Sequence, residues 1–253
     1  MPNNFVWYEH MTTDLAAAEA FYGAVMGWTA KDSGMAGMRY DLLCVGDKQF
    51  GGAMALPADA LAAGARPGWM AHVGVDDVDA FAARVKEAGG AVHREPQDIP
   101  GVGRFAMVAD PQGAMFFLFM GNGPAPERPA FGAPGFPGWH ELHAADGQSA
   151  LAFYSRLFGW TKGETHDMGP MGIYQLFTAG AAPIGGMMTK AADTPAPVWL
   201  YYFNVDDIEA AAGRVKGAGG EVLMGPHEVP GGGWIVHARD PQGALFALTG
   251  PHM

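Results

Sequence analysis

A five-residue phrase occurs twice in this chain. Asp-Pro-Gln-Gly-Ala stands at 110–114 and returns 130 positions later at 240–244. Other segments recur 130 to 134 positions apart: Phe21-Tyr22 with Phe153-Tyr154, Gly27-Trp28-Thr29 with Gly159-Trp160-Thr161, Gly51-Gly52 with Gly185-Gly186, and Val75-Asp76-Asp77 with Val205-Asp206-Asp207. Because this period is far longer than a solenoid unit, each copy is expected to be a domain with its own core. The sequence predicts domains at 1–121 and 139–253, joined by a Gly/Pro-rich linker at 122–138.

Charge and cysteine content limit the partners and the compartment. The formal net charge of −11 argues against binding to nucleic acid or anionic membranes, which requires clustered Lys and Arg. Cys44 is the only cysteine, so no intrachain disulfide forms, as is typical of a reducing compartment. The first residues, Met1-Pro2-Asn3-Asn4, do not begin a signal peptide, and no apolar run approaches the roughly 20 residues of a membrane span. We therefore expect a cytoplasmic protein.

Within each half, the pattern of strands and helices also repeats. Phe5–Met11 reads as a strand, Asp14 as the cap of a helix and Gly27 as its end. Trp69–Val75 and Asp77 begin the same series again. Further strands of the first half are expected at Tyr40–Val45, Gly52–Leu56, Ala91–His93, Gly103–Val108 and Ala114–Met120. The order in each half is therefore strand, helix and several strands, twice over.

The ordered motifs resemble those of a known superfamily. The matching residues are Asp14, Phe21-Tyr22, Gly27-Trp28, Val75-Asp76-Asp77 and Asp110-Pro111-Gln112-Gly113, and the motifs recur in the second half. The set is similar to that of the vicinal oxygen chelate superfamily, which includes glyoxalase I, extradiol dioxygenases and the fosfomycin- and bleomycin-resistance proteins. The resemblance is nearest to tandem glyoxalase-like proteins. It implies an α+β fold of two tandem glyoxalase-like domains, each of paired βαβββ modules that form a cup for a ligand. It also suggests a monomer with an internal pseudo-dimer.

The resemblance further implies where a metal would be held. In metalloenzymes of the superfamily, ligands lie seven residues before each helix-capping Asp, seven after the Asp of Asp-Pro-x-Gly, and on the strand after the Gly-Gly turn. In this sequence those positions hold Trp7, Met54, Met70 and Phe117, and then Trp139, Met188, Leu200 and Ala247. None offers the imidazole, amide or carboxylate that divalent metals prefer. We therefore predict cups without a metal and no cofactor.

Alternation along the strands predicts what lines the cups instead. The expected ligand-binding residues are mainly aromatic residues and methionines: Trp7, Met11, Met54, Met70, His72, Phe117, Trp139, His143, Met188 and Tyr202. Pockets of this kind suit a small, largely apolar molecule with a polar group.

Glu9 and Glu141 are the predicted catalytic residues, because each shares a strand face with a tryptophan two positions earlier. A desolvated carboxylate tends to have a raised pKa and can act as a general base. The alternative is a structural role near a strand end. His72 is expected beside Glu9, as an acid–base partner or simply hydrogen-bonded in place. His143 and His237 with Glu141 would make a two-histidine, one-carboxylate iron set, although no known register brings them together.

Other repeated residues favour structural roles. Tyr40 and Tyr174 are expected in core packing or across the cup floor, and Asp110 and Asp240 as turn-formers. Phe21-Tyr22 and Phe153-Tyr154 are expected to face the sheet as core.

Three functions remain open on this basis. The first is a metal-independent protein that sequesters or carries a small apolar compound. The second is an enzyme of the glyoxalase, lyase or dioxygenase type, acting through Glu9 or Glu141 or an unrecognised metal. The third is a regulatory or interaction role in which the cups are vestigial.

Overall fold

The computed structural model describes residues 3–123, 129–130 and 132–253. Six residues of the predicted linker, 124–128 and 131, lie outside the described residues. The first half contains β1 (Phe5–Thr12), α1 (Leu15–Met26), β2 (Thr29–Asp32), β3 (Tyr40–Val45), β4 (Lys48–Ala55), α2 (Ala58–Ala62), β5 (Gly68–Gly74), α3 (Val78–Glu87), β6 (Ala91–Ile99), β7 (Gly103–Ala109) and β8 (Met115–Gly121). The second contains β9 (Pro137–Ala144), α4 (Gly147–Phe158), β10 (Thr161–Asp167), β11 (Ile173–Thr178), β12 (Pro183–Thr189), β13 (Val198–Asn204), α5 (Ile208–Gly217), β14 (Glu221–Glu228), β15 (Trp234–Arg239) and β16 (Leu245–Gly250).

The longer helices begin and end where the sequence predicts. The Asp14 side chain accepts a hydrogen bond from the backbone N–H of Ala17 at 3.0 Å, and Asp77 accepts one from Ala80 at 2.9 Å. Both bonds satisfy amides that have no partner within the helix. Helix α1 ends at Gly27, whose φ of 73° lies in the left-handed region that favours glycine.

The strands form two open eight-stranded sheets, one for each half of the sequence. Their orders are β2-β3-β4-β1-β5-β8-β7-β6 and β10-β11-β12-β9-β13-β16-β15-β14. The second order repeats the first strand for strand. This confirms the predicted α+β fold of two tandem halves, each built from paired βαβββ modules.

The sequence pattern misses or shortens the edge strands. Strand β2, which was not predicted, is exposed along its whole length, and β6 continues past the predicted Ala91–His93 as far as Ile99. The extension of β6 includes Arg94, Glu95 and Pro96. Alternation of apolar and polar residues is weak where a strand lies largely in solvent, so the pattern gave no signal there.

The chain divides into two compact units, and neither is a half of the sequence. Unit 1 contains Met1–Val6, Met70–Glu127 and Trp139–Leu200. Unit 2 contains Trp7–Trp69, Arg128–Gly138 and Tyr201–Met253. Each unit thus combines one βαβββ module from each half. The predicted boundaries at 1–121 and 139–253 describe the sequence repeat and stay a prediction for domains.

In each unit, repeated motifs from different halves meet in the core. In unit 1 the Tyr154 hydroxyl donates to Asp110 at 3.1 Å, and in unit 2 the Tyr22 hydroxyl donates to Asp240 at 3.2 Å. Both aspartates also accept backbone N–H bonds within their own turns. The expected turn role is therefore present, and a bond to a helix of the other half accompanies it.

Unit 2 has one polar group that unit 1 lacks at the same place. His10 Nε2 lies 3.1 Å from Asp240 Oδ2, and the His10 side chain is almost fully buried. The corresponding residue in the second half, Leu142, is buried and apolar.

In the described part of the chain, no helix is long and apolar enough to cross a membrane.

Candidate functional site

A tryptophan, a tyrosine and a glutamate form a hydrogen-bonded chain in unit 2. Trp7 Nε1 donates to the Tyr40 hydroxyl at 2.7 Å, and that hydroxyl donates to Glu9 Oε2 at 3.2 Å. Because an indole N–H can only donate, it fixes the direction of the chain toward the carboxylate. Glu9 is only 8% exposed. We call Trp7, Glu9, Met11, Tyr40 and Met54 the first-half cluster.

The same chain occurs in unit 1, with one further member. Trp139 Nε1 donates to the Tyr174 hydroxyl at 2.8 Å, and Tyr174 donates to Glu141 Oε2 at 2.8 Å. His143 Nε2 lies 2.7 Å from the other carboxylate oxygen, Glu141 Oε1. We call Trp139, Glu141, His143, Tyr174 and Met188 the second-half cluster.

The repeated Gly-Gly pair makes room for the tyrosine. Glu9 is in register with Gly52, and Glu141 with Gly186. A Cβ at Gly52 would collide with the Tyr40 ring, and one at Gly186 with the Tyr174 ring. The glycine therefore allows the tyrosine to cross its strand and reach the glutamate.

Both tyrosines are held as hydrogen-bond donors. Burial, followed by the neighbouring negative charge of the glutamate, raises the pKa of Tyr40 and of Tyr174 well above the usual range. The phenols therefore stay protonated at neutral pH and donate to Glu9 and Glu141. Sequence reasoning expected them in the core or on the cup floor and missed this bond. The available signal was that each tyrosine precedes a repeated Gly-Gly pair.

Methionines lie next to both glutamate chains. Met11 is in register with Met54, and His143 with Met188. These side chains are half-buried. Flexible thioethers adapt to ligands of different shapes, so the two clusters combine a fixed polar group with an adaptable apolar wall.

The remaining predicted lining residues have other partners. In unit 1, His72 stacks on Phe117 with ring centroids 4.4 Å apart, and Met70 is half-buried on β5. In unit 2, the Tyr202 hydroxyl lies 2.6 Å from His237 Nε2. Ala247, on the strand between them, is in register with both Tyr202 and His237.

The iron set of His143, His237 and Glu141, for which no known register was found, is divided between two pairings, His143 with Glu141 and His237 with Tyr202. The pairing of His72 with Glu9 stays a prediction. The ligand-binding and catalytic assignments of all these residues stay predictions as well.

The side chains do not fit the metal that the superfamily resemblance implies. Trp7 and Trp139 are engaged through their indole N–H groups, and Phe117 stacks on a ring. Throughout the described ranges, no group of three or more His, Cys, Asp or Glu side chains is placed to hold an ion. The side chains at the implied ligand positions therefore offer a divalent metal no imidazole, amide or carboxylate.

Comparison with known proteins agrees with this fold. The profile of the Glyoxalase/Bleomycin resistance protein/Dioxygenase superfamily matches residues 4–118 and 138–248. A crystallised Mn(II)-bound glyoxalase from Novosphingobium aromaticivorans has a TM-score of 0.70 at 17% identity, covering 100% of this chain and 83% of that one. A 2,2',3-trihydroxybiphenyl 1,2-dioxygenase from Sphingomonas wittichii has a TM-score of 0.70 at 14% identity, covering 99% and 91%. Identities this low establish the fold alone.

Two relatives match over almost the whole chain. A Mycobacterium tuberculosis protein named "Putative glyoxylase CFP32" is 32% identical over 247 residues, which cover 97% of this chain and 94% of that protein. The Streptomyces peucetius protein "Anthracycline biosynthesis protein DnrV" is 30% identical over 273 residues, covering 98% and 93%. The matched motifs, the paired βαβββ modules and these relatives lead to one conclusion: the chain belongs to the glyoxalase/bleomycin resistance protein/dioxygenase superfamily.

Proposed function

We propose that this protein binds a small, largely apolar molecule through its first-half and second-half clusters, without a metal. One observation carries the proposal. In both halves a glutamate that is at most 8% exposed is held by a tyrosine among aromatic and methionine side chains. Carboxylates are rarely buried unless they are paired, and the same arrangement in both halves argues against an incidental one.

The ligand's polar group should be a hydrogen-bond donor. Tyr40 and Tyr174 donate to the glutamates, so these carboxylates act as acceptors. An ionised carboxylate has about four acceptor positions, so a carboxylate can accept from a ligand and from a tyrosine at the same time. A flat aromatic body with a hydroxyl group would pack on Trp7 or Trp139 and donate to Glu9 or Glu141.

The comparisons give limited support for this ligand class. One relative is named an anthracycline biosynthesis protein, and anthracyclines are flat, hydroxylated aromatic compounds. A fluorescent anthracycline is therefore a reasonable first probe.

The single, buried cysteine, Cys44, supports the cytoplasm as the site of action.

The second candidate function is an enzyme of the glyoxalase superfamily. The pairing of His143 with Glu141 at 2.7 Å favours it, because an imidazole oriented by a carboxylate is a common arrangement for proton transfer. Such an enzyme could also act through an unrecognised metal. Elemental analysis of the purified protein distinguishes a metalloenzyme from a metal-free protein, since a metalloenzyme would carry near-stoichiometric metal.

The test of the binding function is a matched set of glutamine variants. Glu9→Gln and Glu141→Gln keep the side-chain shape and remove the charge, so each should weaken probe binding by about 1.5–3 kcal/mol per ligand hydrogen bond. Glu95→Gln is the control, because Glu95 is exposed and pairs with the exposed Lys86. Calorimetric titration measures affinity, and thermal unfolding checks the fold. Unchanged affinity in both cluster variants would contradict the proposal.

A further inference from the structure

In unit 2, a row of side chains crosses three neighbouring strands beneath α1. Asp41 of β3, Ala53 of β4 and His10 of β1 are in register with one another. Glu19 of α1 lines a small cavity together with His10 and Ala53. The cavity volume of about 10 Å³ is enough for roughly one water molecule. The layer between this helix and its sheet is therefore polar and incompletely filled.

Unit 1 fills the corresponding layer with neutral side chains. The row there consists of Gln175, Met187 and Leu142, and Leu151 of α4 stands where α1 has Glu19. Met187 and Leu142 are fully buried. The Gln175 amide donates to three nearby backbone carbonyls and accepts from Thr165. At these four positions of the repeat, ionisable groups occur in unit 2 and not in unit 1.

Glu19 and Asp41 each have one oxygen in need of a donor. Oε1 of Glu19 and Oδ1 of Asp41 are cut off from water and have no hydrogen-bond partner among the described residues. The two carboxyl groups are within hydrogen-bond reach of each other. The other oxygen of Asp41, Oδ2, accepts from Arg39 Nε at 2.8 Å. An ionised carboxylate can only accept, so one shared proton satisfies both oxygens, whereas two ionised groups leave both unsatisfied.

We propose that Glu19 and Asp41, which we call the acid pair, share one proton that fastens α1 to β3, and that loss of this proton loosens the helix. The proton lies on Glu19, because Arg39 already pairs with the negative charge of Asp41. When the O–H bond of Glu19 breaks, its proton passes to water. Two negative charges are then left side by side in a layer that is largely closed to solvent. The inference does not depend on the proposed binding function.

The surroundings of Glu19 place this response near neutral pH. Burial, followed by the hydrogen bond and the charge of Asp41, raises the pKa of Glu19 from 4.5 to about 7, although Arg39 acts in the opposite direction. The folded protein thus binds the proton more tightly than the unfolded chain does. The stabilisation is complete below the unfolded pKa and is lost as the pH rises through the folded value. The acid pair therefore responds between pH 4.5 and about 7.

Other ionisable groups on the elements around this layer have partners of their own. His10 pairs with Asp240, and the Tyr22 phenol stays protonated because burial raises its pKa. At the far end of α1, Arg214 of α5 donates to the carbonyl of Val25 at 2.8 Å. On β2, Asp32 acts on Arg39 through its charge. The charged groups that act directly on Glu19 are Asp41 and Arg39.

The first test compares urea unfolding of the wild-type protein with that of Glu19→Gln. The glutamine is neutral at every pH and can still donate to Asp41. Relative to this variant, the unfolding equilibrium constant of wild type should rise by up to about tenfold for each pH unit between about 5 and 7, and then level off. Glu87→Gln, at an exposed position of α3, is the control and should show no such rise against wild type.

Carbon-13 NMR of the side-chain carboxyl groups follows the proton directly in the folded protein. The Glu19 signal of wild type should titrate near neutral pH. In Asp41→Asn, which removes the neighbouring charge, it should titrate at a lower pH. This measurement does not require Glu19→Gln to fold. An ordinary acidic midpoint for Glu19 in the wild-type protein would overturn the proposal.

Hydrogen exchange measured by mass spectrometry tests the attachment of the helix. At about pH 8 the amides of α1 should exchange faster in wild type than in Glu19→Gln, and at about pH 5 the two proteins should be alike. Helix α4, which has Leu151 at this position, is an internal control and should not differ between the proteins at either pH. Equal exchange of α1 in both proteins at both pH values would overturn the proposal even if Glu19 titrates near neutrality.

Discussion

At the residue scale, one hydrogen-bonding unit serves two purposes. In the described part of the chain, tryptophan donates to tyrosine and tyrosine to a carboxylate in four places: Trp7-Tyr40-Glu9, Trp139-Tyr174-Glu141, Trp69-Tyr22-Asp240 and Trp199-Tyr154-Asp110. The first two contain the candidate functional glutamates. The other two join a helix of one half to a turn of the other. The same kind of donor thus keeps four buried carboxylates hydrogen-bonded, two in the clusters proposed to bind a ligand and two between a helix and a turn.

Asp240 should contribute more to stability than its counterpart Asp110. Asp240 accepts from Tyr22 and also faces His10, whereas Asp110 accepts from Tyr154. Asp240→Asn should lower the free energy of unfolding by about 3 kcal/mol, because it removes a buried carboxylate that is hydrogen-bonded to both Tyr22 and His10. Asp110→Asn should cost about 1 kcal/mol, the value of one hydrogen bond. Urea denaturation of the two variants at neutral pH measures both; equal losses would contradict the role of His10.

The contribution of Asp240 should also depend on pH. Burial raises its pKa, but the hydrogen bond and charge of His10 and the backbone amide of Ala244 outweigh burial and hold the pKa below the usual range. Its stabilisation is therefore fully present above the unfolded pKa of about 3.9 and is lost as pH falls through the lower folded value. The difference in unfolding free energy between wild type and Asp240→Asn should shrink as the pH falls below about 4. A difference that stays constant down to strongly acidic pH would refute this.

The glycine beneath each tyrosine offers a further test. Gly186→Ala would place a methyl group against the Tyr174 ring, so the ring must move away from Glu141. We expect a loss of about 1–3 kcal/mol of stability from overpacking, together with weaker probe binding. The control is Gly213→Ala, in the exposed middle of α5 with nothing within 4 Å of the added carbon. The control should stabilise the protein by up to about 1 kcal/mol, since alanine favours helices.

At the element scale, the turns and helix starts are joined unequally in the two units. Gln112 accepts from the backbone N–H of Asp146 at 2.7 Å and donates to the Asp146 carbonyl at 2.9 Å. The counterpart Gln242 has a buried amide oxygen that finds no hydrogen-bond partner among the residues the structure describes. The first turn therefore holds the start of α4 through two side-chain bonds.

The two glutamines should respond differently to truncation. Gln112→Ala should cost about 1–2 kcal/mol, because two hydrogen bonds to the backbone are lost. Gln242→Ala should cost less than about 0.5 kcal/mol, because no described residue bonds to its amide oxygen. Thermal unfolding of the two single variants is sufficient to compare them. A larger loss of stability in Gln242→Ala than in Gln112→Ala would contradict the explanation that the hydrogen bonds of Gln112 make the first turn the stronger one.

Local signals in the sequence explain which of these elements could be predicted. Asp14 and Gly27 specify a helix start and end through short-range bonds, and β3 was predicted at Tyr40–Val45 because its apolar run is compact. The partners of Asp110 and Asp240 are set by residues 44 and 218 positions away, which no local pattern encodes. The roles of Tyr40 and Tyr174 were missed for the same reason, because each reaches its glutamate across a strand.

At the scale of the whole molecule, the boundary between the two sequence repeats does not coincide with the boundary between the two compact units. The sequence repeats by halves, while each unit takes one module from each half. A half on its own would thus lack the partner that completes each core: Tyr22 would lack Asp240, and Asp110 would lack Tyr154.

An isolated half should therefore form a dimer with itself. A chain of residues 1–121 carries both Tyr22 and Asp110, so two copies can supply each other with the missing motif. We expect sedimentation to show a dimer of 1–121, and a mixture of 1–121 with 139–253 to form a heterodimer. A stable, cooperatively folding monomer of 1–121 would show that a half needs no partner module.

The composition of the units also has a consequence for folding during synthesis. The bond from Tyr154 to Asp110 closes a separation of 44 residues, whereas the bond from Tyr22 to Asp240 closes one of 218. The middle of the chain can therefore form unit 1 while the ribosome is still producing β14 to β16. The N-terminal module, made first, must wait for the last strands before its core is closed. For most of translation its aromatic residues, Trp28 and Trp69 among them, lack the partners that bury them, and this interval is where the nascent chain is most exposed to aggregation.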